Sequence, residues 1–472
     1  MARGVSPVRS RGIAGAGVIL LALGGACAVG PNYQRPPIDT PGGFRGKTAT
    51  STGSLADLPW WKLFRDENLQ GLIRTALAGN YDLRIAVSRV EQAREFAAQA
   101  RAGFFPQVDY GAVAARGKNV TALSLPAPTG TVGSIFAADF SVSWEIDLWG
   151  RIRRLTESAQ AQFLATEEAR RGVTISVIAE VAQDYLQLLA LERERRIAEE
   201  TRDAFAGSLQ IFNERLEGGV ASKLETASAE ALLDAAAATI PNIERQLLLQ
   251  ENLLSVLLGR NPGPISRSGS GFDEQLLPEI PVGLPSALLE RRPDIRQAEQ
   301  QLRSANAQIG VAEADCLPQL SLTGLLGHVS AQLANLLSGG ALAWSAAASL
   351  TGPIFHGGQL RARYRQAKAA RDEAVLQYQA TVLRALQEVA DGLLSRQKLA
   401  EERVQQTHAV AAYREAVKIS LERYRHGNAS YYEVLQAQQQ LFPAQITLVQ
   451  TQLNELLALV QLYRALGGGW SE

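Results

Sequence analysis

Two short segments put a carboxylate three residues after a serine and just beyond a glycine. One is GGVASKLE, with Gly219, Ser222 and Glu225; the other is HGNASYYE, with Gly427, Ser430 and Glu433. Glycine at such a place suits the left-handed residue that ends a helix. Serine suits the N-cap of the next helix, and a glutamate three residues on completes a capping-box spacing. The available chemistry is therefore helix termination and fixed negative charge, not bond making.

The rest of the chain supplies no catalytic set. It has no phosphate loop, no HExxH, no GxSxG and no CxxC, and its four histidines (328, 356, 408 and 426) are scattered. The only methionine is Met1, so a chain without its first segment offers no thioether path for soft metal ions. No enzyme activity and no cofactor is expected.

The elements that position the two segments are long helices. Residues 151–217 run without proline and with only Gly172 and Gly207; residues 359–426 run without proline and with only Gly392. Within the first, Ile178, Val181, Tyr185 and Leu188, then Phe205, Leu209, Phe212 and Leu216, step by three and four as one stripe of a coiled-coil-like helix. At ~1.5 Å per residue such a helix is ~100 Å long. Further helices are expected over about 66–103, 222–258, 286–316 and 430–466.

The chain also recurs on itself. At an offset of 212, Leu77, Asp82, Arg84, Ala86 and Pro106 meet Leu289, Asp294, Arg296, Ala298 and Pro318. At an offset of 208, Glu214, Arg215, Gly219, Ser222 and Glu225 meet Glu422, Arg423, Gly427, Ser430 and Glu433. Two copies of one unit follow. The expected layout is a signal peptide (1–26), an extended N-terminal segment (27–65), a first repeat (66–263), a linker (264–285) and a second repeat (286–472). Each repeat reads helix, strand, strand, long helix, helix.

Four strands are expected, and they share one parity. In FAADFSVSWEIDLWG (136–150) the even positions through Leu148 are apolar, and most odd ones are polar. PQVDYGAVAARG, PQLSLTGLLGHV and ALAWSAAASLTG alternate alike, and a Gly/Pro/Thr loop (117–133) joins the first pair. A lipid face and a wet face account for this, and so does a soluble sandwich strand. Open edges cannot face lipid, and four strands are too few for a barrel, so several chains must share one.

Charge and targeting agree with an envelope protein. Lys+Arg and Asp+Glu are both 47, so nothing points to nucleic acid. Arg3, Arg9 and Arg11 precede the apolar run IAGAGVILLALGGA, the layout of a secretory signal. Removal of residues 1–26 leaves 44 basic against 47 acidic residues, a formal −3. LGGA–Cys27 resembles a lipoprotein processing site, with Gly24 where leucine is usual, which makes Cys27 the candidate for lipidation, palmitate included. No uncharged apolar run of helical-span length follows. The second cysteine, Cys316, has no evident role.

Motifs in order then carry a family resemblance: CAVGPNYQRPP (27–37), WWKLFRDENLQGLI (60–73), LLGRNPG (257–263), RRPDIRQAE (291–299), GPIFHGGQLRA (352–362) and LYRALGGGW (462–470). The chain resembles the TolC-type outer-membrane efflux proteins, in their lipoprotein branch associated with RND pumps. The resemblance implies a mainly α fold with a membrane β-barrel. A homotrimer would form a twelve-stranded barrel in outer-membrane lipid, on a helical tunnel through the periplasm. It implies a passive channel fed by an inner-membrane pump, of RND type, through a periplasmic adaptor. It places a gate at Glu433 and Glu225, with Gln436 where the family often has a second acid. It places adaptor contacts at the turns: Gly219, Ser222, Gly427, Ser430, Tyr431 and Arg423, with Tyr432 and Arg425 beside them. Alternatives are a channel for protein secretion and a non-conducting envelope spacer.

Overall fold

In the computed structural model the described residues are 28–44, 59–64, 66–118, 130, 132–267, 272 and 285–468. Cys27 and the signal segment lie outside them. The elements run α1 (Trp60–Leu63), α2 (Glu67–Gly79), α3 (Tyr81–Ala102), β1 (Gln107–Lys118), β2 (Val132–Ile146), α4 (Arg151–Glu217) and α5 (Lys223–Leu257). Then follow α6 (Leu288–Arg291), α7 (Pro293–Ala314), β3 (Gln319–Ser330), β4 (Leu342–Thr351), α8 (Gln359–Arg425) and α9 (Tyr431–Ala465). The chain divides into two compact units.

The first unit comprises residues 1–36, 91–165 and 298–378 and holds the sheet. Its strand order is β1-β2-β3-β4, all antiparallel. Ala112 pairs with Ala138, Phe140 with Leu326, and Leu326 with Trp344, so even positions share one face across all four strands. On that face Tyr110 is 85% exposed and Trp344 74%, with Val108, Phe140, Leu326 and Leu350 exposed beside them. The odd face carries Asp109, Ser141, Ser143, Thr323, Ser345 and Ser349. An apolar face this extended, left uncovered, is the mark of a surface that meets lipid or another chain.

Strand β2 starts earlier and ends sooner than the alternation through Leu148 suggests. Asp147 leaves the strand and its carboxylate accepts from the backbone N–H groups of Ile152 (2.9 Å) and Arg153 (3.0 Å), starting α4. A capping carboxylate competes with strand continuation here and wins.

The second unit comprises residues 37–90, 166–297 and 379–472. Its core includes the expected stripe: Ile178, Val181, Tyr185 and Leu188 are all buried. One stretch of α4 has the length and apolar composition of a membrane span, and 61% of it is buried within the protein, as a packed core helix would be.

Two expected helices are interrupted. The helix over 66–103 breaks at Asn80, whose Oδ1 accepts from Leu83 N (3.0 Å) and whose amide donates to Leu257 O (2.9 Å). The side chain thus starts α3 and satisfies a carbonyl at the end of α5. The helix over 286–316 breaks at Arg292, extended because Pro293 follows. The buried Arg292 guanidinium donates to Asp294 (3.0 and 2.6 Å), Glu388 (2.7 Å) and Ala465 O (2.9 Å), which satisfies it away from water.

Candidate functional site

The two glycine-marked turns, which join α4 to α5 and α8 to α9, lie within the second unit. Each closes its first helix in the same way. Gly219 N–H donates to Leu216 O (2.9 Å) and Val220 N–H to Arg215 O (2.9 Å); Gly427 N–H donates to Tyr424 O (3.0 Å) and Asn428 N–H to Arg423 O (2.8 Å). These are Schellman closures, and both glycines sit at φ 75°. A Cβ at either would meet nothing within 4 Å, so the dihedral, not space, demands glycine.

The two serine–glutamate pairs, expected to behave alike, differ. Ser430 and Glu433 form the capping box, with Ser430 N–H donating to Glu433 Oε1 at 3.3 Å. Ser222 stands at the N-cap of α5 in extended conformation, with no capping box. It turns to Glu225 Oε1 instead, at 3.5 Å. Glu225 is drawn away from its own backbone by a partner on the other hairpin: Tyr424 Oη donates to Glu225 Oε2 at 3.2 Å.

Tyr424 is the hub of this place. Its ring meets Phe212 edge-on (centroids 5.1 Å, 90°), and Phe212 meets Tyr431 the same way (5.5 Å, 88°). Phe212, Ala229, Tyr424 and Val434 form a buried cluster, with Leu209, Leu421 and Tyr431 packed against it. Arg215 lies over the Tyr424 ring at 4.4 Å and donates to Tyr424 O at 2.6 Å. Burial first, then the charge and hydrogen bond of Glu225, push the Tyr424 phenol up to about 12, against the pull of Arg215. One turn before Phe212, the buried Gln438 amide donates to Ser208 Oγ at 2.7 Å.

The remaining candidates face solvent. Glu433, Gln436, Tyr432, Arg425 and Arg423 are exposed. Arg423 stands 3.6 Å from Glu433 and donates to Asn428 O at 3.0 Å. An ion pair so exposed contributes well under ~1 kcal/mol. Tyr431, expected as a surface contact, is half-buried against Phe212 and packs the tip from within. Sequence reasoning passed over Tyr424. At the offset of 208 it stands opposite Leu216, so the recurrence hides it. The cysteine among the described residues, Cys316, is exposed and free.

Residues 72–260 and 284–468 match the Outer membrane efflux protein family. The chain belongs to that family. The toluene efflux pump outer membrane protein TtgC of Pseudomonas putida is 35% identical over 455 residues, 95% of this chain and 94% of that one. The outer membrane protein OprJ of Pseudomonas aeruginosa is 36% identical over 462 residues, 97% of this chain and 96% of that one. The solved structure of the outer-membrane channel OprN covers 94% of this chain and 100% of its own, with a TM-score of 0.86 and 32% identity. As an outer membrane efflux protein this chain is an outer-membrane channel of efflux systems, in a family of channels rather than enzymes. Its mainly helical architecture with one small sheet matches theirs.

Proposed function

We propose that three copies of this outer membrane efflux protein close one twelve-stranded barrel over one helical tunnel, each chain contributing two repeats. The observation that carries this is the sheet: four antiparallel strands with one apolar face, and β1 and β4 as its edges. Unpaired strand edges are untenable in lipid, so β1 of one chain must meet β4 of the next. Four strands cannot close a barrel, since small barrels have about eight. The family resemblance selects three chains over two.

The channel is passive and conducts small molecules outward, received from an inner-membrane pump of RND type through a periplasmic adaptor. The toluene efflux named for the TtgC relative supports small molecules over secreted proteins. The anchor is lipid on Cys27, held in the outer membrane, and mass spectrometry of the mature N-terminus tests it. The paired turns form the periplasmic entrance. Glu433 supplies exposed charge there, Gln436 leaves the second ring uncharged, and the Tyr424–Glu225 bond latches one hairpin to the other. Gly219, Ser222, Gly427, Ser430 and Arg423 shape the surface offered to the adaptor.

Planar-bilayer recording of the purified protein tests the reading. Discrete cation-preferring openings from a trimeric preparation are expected. A preparation that stays monomeric and never conducts would leave the non-conducting spacer as the better account.

A further inference from the structure

Beyond Cys27, the segment CAVGPNYQRPP has no part in the channel reading, yet residues within its described part are held by three buried polar side chains of the first unit. Arg154, on α4, donates to Val29 O (3.1 Å), Gly30 O (3.0 Å) and Asn32 Oδ1 (2.9 Å). Asn306, on α7, donates to Pro31 O at 2.8 Å. Glu299, also on α7, accepts from Tyr33 Oη (3.2 Å), from Arg35 and from Arg303 (2.9 Å). Arg154, Asn306 and Glu299 are each 5% exposed or less. The fit is close: Gly30 has φ +89°, and a Cβ there would lie 2.4 Å from Gly310 Cα.

The place of this strap gives it a consequence. Strands β1–β2 and β3–β4 pair through short connections, but β2–β3 joins Ile146 to Leu320, far apart in the chain. Helix α4 leaves β2 and α7 leads to β3, so the strap bridges the two helices at the foot of that join. It also reaches the join: Val29 N–H donates to Trp149 O (2.9 Å), and Trp149 Nε1 donates to Pro318 O (2.7 Å), next to β3. Non-local strand pairing carries the largest ordering cost in such a sheet. Undocking would leave buried polar groups of α4 and α7 without their strap partners.

We propose that Ala28–Arg35 is a strap that locks the β2–β3 join, with Arg154, Asn306 and Glu299 as its positioning residues. This holds whatever the number of chains in the barrel and whether or not Cys27 carries lipid.

Hydrogen exchange by mass spectrometry on the full-length protein tests it. In Gly30→Val, amides of the strap and of β2–β3 near Ile146 and Leu320 are expected to exchange about tenfold faster or more, as local opening allows. Amides of β3–β4 and those around Val434 keep wild-type rates. Strap amides that accelerate while β2–β3 does not, or strap amides that do not accelerate, would overturn the lock. If Gly30→Val also loses protection around Val434 it has not folded, and Arg35→Ala decides. That change removes the half-exposed contact to Glu299 and leaves the buried Arg154 and Asn306 contacts in place, and an about twofold to threefold acceleration is expected in both strap and join. Acceleration confined to the strap overturns the proposal.

Discussion

Tyr424 donates its phenol proton to the Glu225 carboxylate at 3.2 Å, across 199 positions of sequence. That bond ties the end of α8 to the start of α5, so each turn is held by the other half of the chain. Tyr424→Phe keeps the packing on Phe212 and removes only the donor. It should loosen the tip by about 1 kcal/mol, the usual net worth of such a bond. Faster amide exchange around Val220 and more frequent channel opening are expected. Unchanged opening would mean that the bond is structural but not a latch.

The same bond carries a pH dependence of definite sign. The Tyr424 phenol is pushed up to about 12 from an ordinary value near 10. A group raised on folding contributes stability that is whole below its unfolded value and is lost as pH rises through its folded one. Tip protection should therefore fall between about pH 10 and 12, and more steeply than in Tyr424→Phe. Equal alkaline profiles in the two proteins would remove the bond as the cause.

Gly427 is held at φ 75° with open space around it. Gly427→Ala is expected to cost about 1 kcal/mol, and Gly427→Asn less, because asparagine tolerates the left-handed region. Thermal unfolding of the two variants checks the order. Equal losses would show that the turn can relax away from that conformation.

Glu433 caps α9 and faces solvent, and two substitutions separate these roles. Glu433→Gln keeps a hydrogen-bonding side chain and removes the charge, whereas Glu433→Ala removes both. Cation preference in bilayers should fall in both variants, and tip stability mainly in Glu433→Ala, by about 1 kcal/mol. Preference unaltered in Glu433→Gln would reduce Glu433 to a cap.

The strap has an acid limit. Burial alone would raise the Glu299 carboxyl, but Arg35 and Arg303 outweigh it and hold it below the ordinary value. A depressed carboxylate contributes stability above its unfolded value that is lost as pH falls through the folded one. Tyr33, Arg35 and Arg303 are the titratable or charged groups on it. Strap amides should therefore lose protection progressively as pH falls from the ordinary carboxylate value towards the depressed one, after correction for intrinsic exchange. In Glu299→Gln that acid step should vanish.

The elements were legible from sequence because their causes are local. The 67 residues of α4 and of α8 follow from unbroken runs that lack proline and use little glycine, and their ends follow from Gly219 and Gly427. Strand parity was legible as well, since alternation needs only two faces. The breaks at Asn80 and Arg292 were not. Asn80 takes a bond to Leu257, and Arg292 takes bonds to Glu388 and Ala465, partners that no local window contains.

The sequence by itself determined the helices, the two-faced strands, the recurrence of the turns and the motifs that mark the family. Tertiary structure decided how the recurrent residues divide their work. Ser222–Glu225 and Ser430–Glu433 share spacing and type, yet only the second pair makes the capping box. The difference is Tyr424, which the fold brings to Glu225 and which gives that carboxylate a donor other than its own helix. Spacing specifies which bonds a side chain can make; only the arrival of a distant partner selects among them.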